Sequence, residues 1–145
     1  LASASDGSVG WVASANIDGS LPDPAAFTGL IGMTGDMGNV QMISAPEGAT
    51  VSDIAVGPDG EVYASDPIGG GIYRATPGAA VLETLVAPGS FRSPQGLTVS
   101  MDGKHLYVSD YRYGLAMIDL ASGDVSRLAS DVPAALDGID GLWLY

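Results

Sequence analysis

SDIAVGPDGEVYASD (residues 52–66) and QGLTVSMDGKHLYVSD (residues 95–110) are two versions of one stretch. Ile54 and Leu97, Val56 and Val99, Asp59 and Asp102, and Gly60 and Gly103 stand 43 residues apart. Past the turn the second copy carries one extra residue, so Tyr63 and Tyr107, Ser65 and Ser109, and Asp66 and Asp110 stand 44 apart. Each copy reads as a strand, a tight turn and a second strand. Pro58-Asp59-Gly60 and Met101-Asp102-Gly103 suit the turn, because Asp and Gly tolerate the backbone angles it demands. A period in the low forties with four short strands per unit is the signature of a β-propeller blade.

Working outward, the stretch at 52–66 opens a full unit. Its four strands are expected at about Ser52–Val56, Glu61–Ser65, Ile72–Ala75 and Val81–Val86. The next unit repeats the plan at about Gly96–Ser100, His105–Ser109, Leu115–Asp119 and Val125–Ala129. The first unit is irregular. Val9–Ser14 follows Asp6-Gly7 and takes the place of a second strand, Asn16–Ala26 is an insertion with two prolines, and Leu30–Met33 and Val40–Ser44 supply the remainder. Too few residues precede Asp6-Gly7 for a full first strand. The chain closes on IDGLWLY (139–145), which reads as the opening strand of a further blade. The expected organisation is one partial all-β propeller domain: an irregular blade at 1–46, blades at 47–90 and 91–131, and a further first strand at 136–145.

Closed propellers need about four to eight blades. About three blades make half of a six-bladed ring and leave open sheet edges, which invite pairing. The chain is thus expected either to be a fragment or to self-associate. In the second case the final strand of one copy would complete the irregular blade of another.

The chain has 145 residues, of which 46% are hydrophobic, enough for a sizeable core. Seventeen acidic residues against five basic ones give a net charge of −12. That balance argues against nucleic acid and against anionic membranes as partners, since both demand clustered Lys and Arg. No apolar run approaches the roughly 18 residues of a membrane-spanning helix. The opening LASASDGSVG shows no signal-peptide pattern and no Met, so the chain is expected to be a mature, trimmed or excised piece. With no cysteine there is no disulfide framework and no thiolate site. The compartment stays open, a periplasmic or secreted one being favoured over the cytoplasm.

SPQGLTVSMDGKHLYVSD (93–110) resembles the blade signature of the senescence marker protein, gluconolactonase and luciferin-regenerating enzyme family. SDIAVGPDGEVYASD (52–66) resembles the preceding blade, and LDGIDGLWLY (136–145) a later opening strand. The resemblance covers about residues 47–145, and its signatures are shared with NHL-repeat and strictosidine-synthase-like propellers. It implies a divalent metal on the propeller axis, often calcium. The metal would be held by a Glu of the first blade and by Asn, Asn and Asp at the starts of later inner strands. It further implies hydrolysis of a lactone or small ester, the metal polarising the carbonyl and activating water.

Aligning Ile54, Leu97 and Leu142 puts Ser52, Gln95 and Asp140 at the ligand phase, and Asp140 alone keeps the family's residue type. No counterpart of the Glu is assigned. Asp53 and Asp137 are further candidates for contact with a small-molecule ligand. Arg112, in the loop Tyr111-Arg112-Tyr113, is a candidate carboxylate clamp. The alternative to a hydrolase is a non-catalytic propeller that binds a ligand or protein through its loops.

Three further features read as structural. Asp66 and Asp110 recur from blade to blade and are expected to bond the amides of the following turn. His105, the one histidine, follows a hairpin turn and has no partner for a zinc cluster or a catalytic triad. Gly69-Gly70-Gly71 is followed by neither a helix nor a lysine, so it is not a phosphate loop.

Overall fold

The computed structural model describes residues 2–3, 7–15, 26–36, 38–131 and 134–144. Asp6 of the first expected turn, residues 16–25 of the expected insertion, and Tyr145 lie outside the described residues. The described chain is all-β and forms three four-stranded antiparallel sheets, each in sequence order. The first blade holds β1 (Ala2–Ser3), β2 (Val9–Ser14), β3 (Gly29–Thr34) and β4 (Val40–Ser44). The second holds β5 (Ile54–Val56), β6 (Val62–Ser65), β7 (Ile72–Ala75) and β8 (Glu83–Val86). The third holds β9 (Pro94–Val99), β10 (His105–Asp110), β11 (Gly114–Asp119) and β12 (Val125–Arg127).

Successive side chains of a strand point to opposite faces, so the burial pattern shows which faces are covered. In the second blade β6 is buried at every position. Val62 and Ala64 join Trp11, Leu30, Ile43 and Ile54 in the core between blades one and two. Tyr63 faces the other way and joins Ile72, Phe91, Leu106 and Val108 between blades two and three. A strand covered on both faces needs a continuous apolar run, and VYA supplies it. The third blade alternates instead. Along β11, Gly114, Ala116 and Ile118 are buried, while Leu115, Met117 and Asp119 are half-buried. Its second face, with Tyr107 and Leu115, ends in a small apolar hollow shared with Leu142 and Trp143.

The turns between first and second strands form as their residues predict. Gly60 (φ 86°) and Gly103 (φ 68°) both occupy the left-handed region, where a side chain would be strained. The first blade opens on a short inner pairing rather than a full strand: the two residues of β1 pair with Trp11 and Gly10 of β2. Residues 139–144, expected as a strand, join no ladder. An inner strand ladders only with the second strand of its own blade, and no described segment offers one.

Blades one and two are joined at their outer strands. Ser44 forms a parallel bridge with Val81, its N–H donating to Ala80 O (2.9 Å) and its carbonyl accepting from Leu82 N–H (2.8 Å). Blades two and three are joined at the hub. Asp53 Oδ2 accepts the Leu97 N–H (2.8 Å), and Ser65 Oγ donates to Gln95 O (2.9 Å).

Candidate functional site

Up-and-down strand order places the β6–β7, β8–β9 and β10–β11 connections at one end of the blades. Residues 52, 95 and 140 lead into the inner segments from that same end. The inner segments flank an axial cleft of ≈ 420 Å³ whose walls include Ser3, Asp53, Val56, Val99, Asp140 and Trp143.

Two of the sequence candidates, Asp53 and Asp140, therefore share the axial cleft. Asp140 is exposed. Asp53 has a structural role in addition. Its carboxylate takes the Leu97 N–H, its N–H donates to Ser65 Oγ (3.2 Å), and its carbonyl accepts the Ser65 N–H (3.1 Å). Ser52 is exposed, and its N–H donates to Ser65 O (2.9 Å). Gln95 is half-buried and turns its amide Nε2 to Ser93 Oγ (3.0 Å). Neither Ser52 nor Gln95 is among the residues that line the cleft.

In the third blade the position of Asp53 is taken by Gly96. A Cβ there would lie 2.7 Å from Gly141 Cα, so the absence of a side chain lets the closing segment approach the inner strand.

A hard divalent cation such as calcium takes six to eight oxygens, usually with several carboxylates. The ligand-phase residues offer one carboxylate, one hydroxyl and one amide. Among the described residues no group of three or more His, Asp or Glu side chains converges on a point. This donor set does not fit the axial cation that the resemblance implies.

The recurring aspartates hold loops together, as their repetition predicts. Asp66 is 1% exposed, and its Oδ1 accepts the N–H groups of Ile68 (3.1 Å) and Gly69 (2.7 Å). Its Oδ2 accepts the Tyr73 hydroxyl at 3.4 Å. Burial, and then the nearby Asp66 charge, push the Tyr73 phenol above its ordinary range. Asp110 is fully buried, and its two oxygens serve different loops. Oδ1 accepts the Arg112 N–H (3.0 Å) in the β10–β11 loop, and Oδ2 accepts the Arg92 N–H (2.8 Å) in the β8–β9 connection.

That second grip builds a site at the corner of blade three. Arg92, Tyr111, Arg112, Tyr113 and Asp137 line an open cleft of ≈ 610 Å³. Arg112 and Asp137, separate candidates in the sequence, meet here. Tyr111 O accepts the Gly138 N–H (2.9 Å), which ties the closing segment to the loop. The Tyr113 ring centre lies 4.6 Å from the Arg127 guanidinium carbon and 5.8 Å from that of Arg92. Arg127 also approaches the Phe91 ring at 6.0 Å. Among the described residues none of these three guanidiniums is ion-paired.

Arg92 and Arg127 were not singled out in the sequence. The topology carried a usable signal for Arg92, because the loops on either side of a blade's β9–β10 pair end side by side.

No family model matches the chain, and no curated protein matches it. Solved structures do. Selenomethionine-substituted virginiamycin B lyase from Staphylococcus aureus superposes with a TM-score of 0.59 at 20% identity, over 80% of this chain and 45% of that one. A catalytically inactive variant of that lyase with quinupristin gives 0.59 at 21% identity, over 74% and 36%. YCF48 bound to D1 peptide gives 0.51 at 18% identity, over 69% and 32%. All are β-propellers, and the fold of this chain is that of part of a β-propeller. The chain spans less than half the length of each of these neighbours.

Proposed function

We propose that this chain is the binding part of a propeller, holding a ligand or protein partner at the loop end of its blades rather than hydrolysing a lactone. The observation that carries this reading is the fate of the axial carboxylate Asp53. It accepts a backbone N–H from the next blade at 2.8 Å, which leaves Asp140, among the described residues, as the one acidic group of the cleft without such a bond. A lone exposed carboxylate supplies neither a cation cage nor a positioned acid–base pair. Among the neighbouring propellers one is bound to a D1 peptide and another was solved with quinupristin, which supports binding as a use of this architecture.

Calcium titration calorimetry and a pH-stat lactone assay on the chain test the reading together. No saturable calcium uptake in the micromolar range and no turnover above the buffer rate are expected. Calcium-dependent turnover that disappears in Asp140→Asn would overturn it in favour of the metal-dependent hydrolase.

A further inference from the structure

We infer that the corner of blade three formed by Arg92, Arg112, Arg127 and Tyr113 is a docking site for an acidic peptide segment. The inference rests on the binding reading above and names the partner's chemistry. The chain has only five basic residues against 17 acidic ones, and three of the five meet at this one corner. An anionic segment is repelled by the rest of a surface carrying −12 and attracted here.

Two of the guanidinium-bearing residues are held from within. The buried Asp110 carboxylate bonds the backbone N–H of both Arg92 and Arg112, so two separate loops are fixed to one point and their spacing is set before any ligand arrives. Tyr113 braces the side chains of Arg92 and Arg127 from its ring. A guanidinium held by stacking still presents its N–H fork to a carboxylate. Without an ion-pair partner among the described residues, these forks remain available.

A single small carboxylate would occupy one fork. Three guanidiniums carried by two loops and β12, with Tyr111 47% and Tyr113 52% exposed beside them, suit an extended segment carrying several carboxylates and an aromatic or aliphatic side chain. Asp137 lines the same cleft and opposes an anionic ligand, so it sets a limit on affinity.

The test is fluorescence anisotropy on the whole chain at about 0.15 M salt, where screening acts beyond roughly 8 Å. The probe is a labelled hexapeptide of alternating glutamate and phenylalanine, compared with the same peptide carrying glutamine for glutamate. The glutamate form is expected to bind at least about tenfold more tightly. Arg112→Gln and Arg127→Gln should each weaken it about tenfold, Arg127→Lys less, and Asp137→Asn should tighten it severalfold. All three side chains are exposed, so thermal unfolding of each of the four variants should match the parent.

Equal affinity for the two peptides, or unchanged binding in both arginine-to-glutamine variants, would overturn the assignment. Displacement of the peptide by an equal concentration of inorganic phosphate would overturn it in favour of a simple anion site. These failures leave the calcium and lactone result untouched. Lactone turnover would remove the binding reading even where the peptide binds.

Discussion

The loop after β6 and the loop after β10 begin with the same residue at the same place in their blades and put it to different uses. In blade two Asp66 bonds Ile68, Gly69 and Tyr73, all within its own blade. The loop that follows, Pro67-Ile68-Gly69-Gly70-Gly71, carries no charged or aromatic side chain. In blade three Asp110 reaches across two connections, and the loop between β10 and β11 carries two tyrosines and an arginine. A repeat thus conserves an anchor for geometry while the residues hung on the anchor decide whether a surface forms.

Removing the anchors probes this contrast most strongly. Asp110→Ala and Asp66→Ala should each lower stability by about 3 kcal/mol in urea denaturation, because each strands N–H or O–H groups that had an ionised acceptor. Only Asp110→Ala should also abolish peptide binding. Equal losses of binding in both variants would show that the corner of blade three is not a separate unit.

At the hub, Ser65→Ala should cost about 1–2 kcal/mol, since one hydroxyl serves Asp53 of its own blade and Gln95 of the next. The matching Ser109→Ala should cost less. Ser109 Oγ takes the Gly96 N–H at 2.8 Å, but among the described residues its only acceptor is Gly96 O at 3.5 Å in the same blade. Tyr113→Ala should cost about 1 kcal/mol or less in stability, because its contacts with arginine are exposed, while weakening the peptide more than any other loop change outside the arginines.

The smallest effects are in titration. Tyr73 has its folded pKa raised by burial and then by Asp66, so its contribution is whole below pH 10 and is lost as pH rises through the folded value. Ultraviolet titration should show two late tyrosines, Tyr63 and Tyr73, of which only Tyr73 moves toward its ordinary range in Asp66→Asn. At the opposite end of blade three, Asp102 is lowered by the Ser100 hydroxyl and then by the Lys104 N–H. Asp119 is lowered by the N–H groups of Ser122 and Ala121. Both groups favour the fold above the ordinary carboxylate range of about 3.9, and their help disappears as pH falls through the lowered folded values. The amide resonances of Lys104 and Ala121 should report midpoints below that range.

The fold was legible because a period in the low forties, which helical repeats share, is here filled by apolar alternation and Asp-Gly hairpin turns, which they lack. The core positions Ile54, Val62, Leu97 and Val108 follow from that alternation. The structural role of Asp66 and Asp110 was legible from repetition alone. What escaped the sequence depends on contacts between units. Asp53 looked like a ligand candidate, but its bond to Leu97 crosses a blade boundary that periodicity does not describe. Arg127 is one exposed residue in a three-residue strand, and only the closure of blade three brings it to Tyr113. The inner strand β1 is too short for any pattern to register.

The unlike seams between the blades have a mechanical consequence. The Ser44–Val81 bridge clasps blades one and two at their outer edge, whereas Asp53 and Ser65 clasp blades two and three near the axis. A load that splays the arc therefore meets its stiffest resistance at the rim of one joint and at the centre of the other. The first joint yields by parting toward the axis and the second by fanning open outward, and it is the fanning joint that carries the arginine corner.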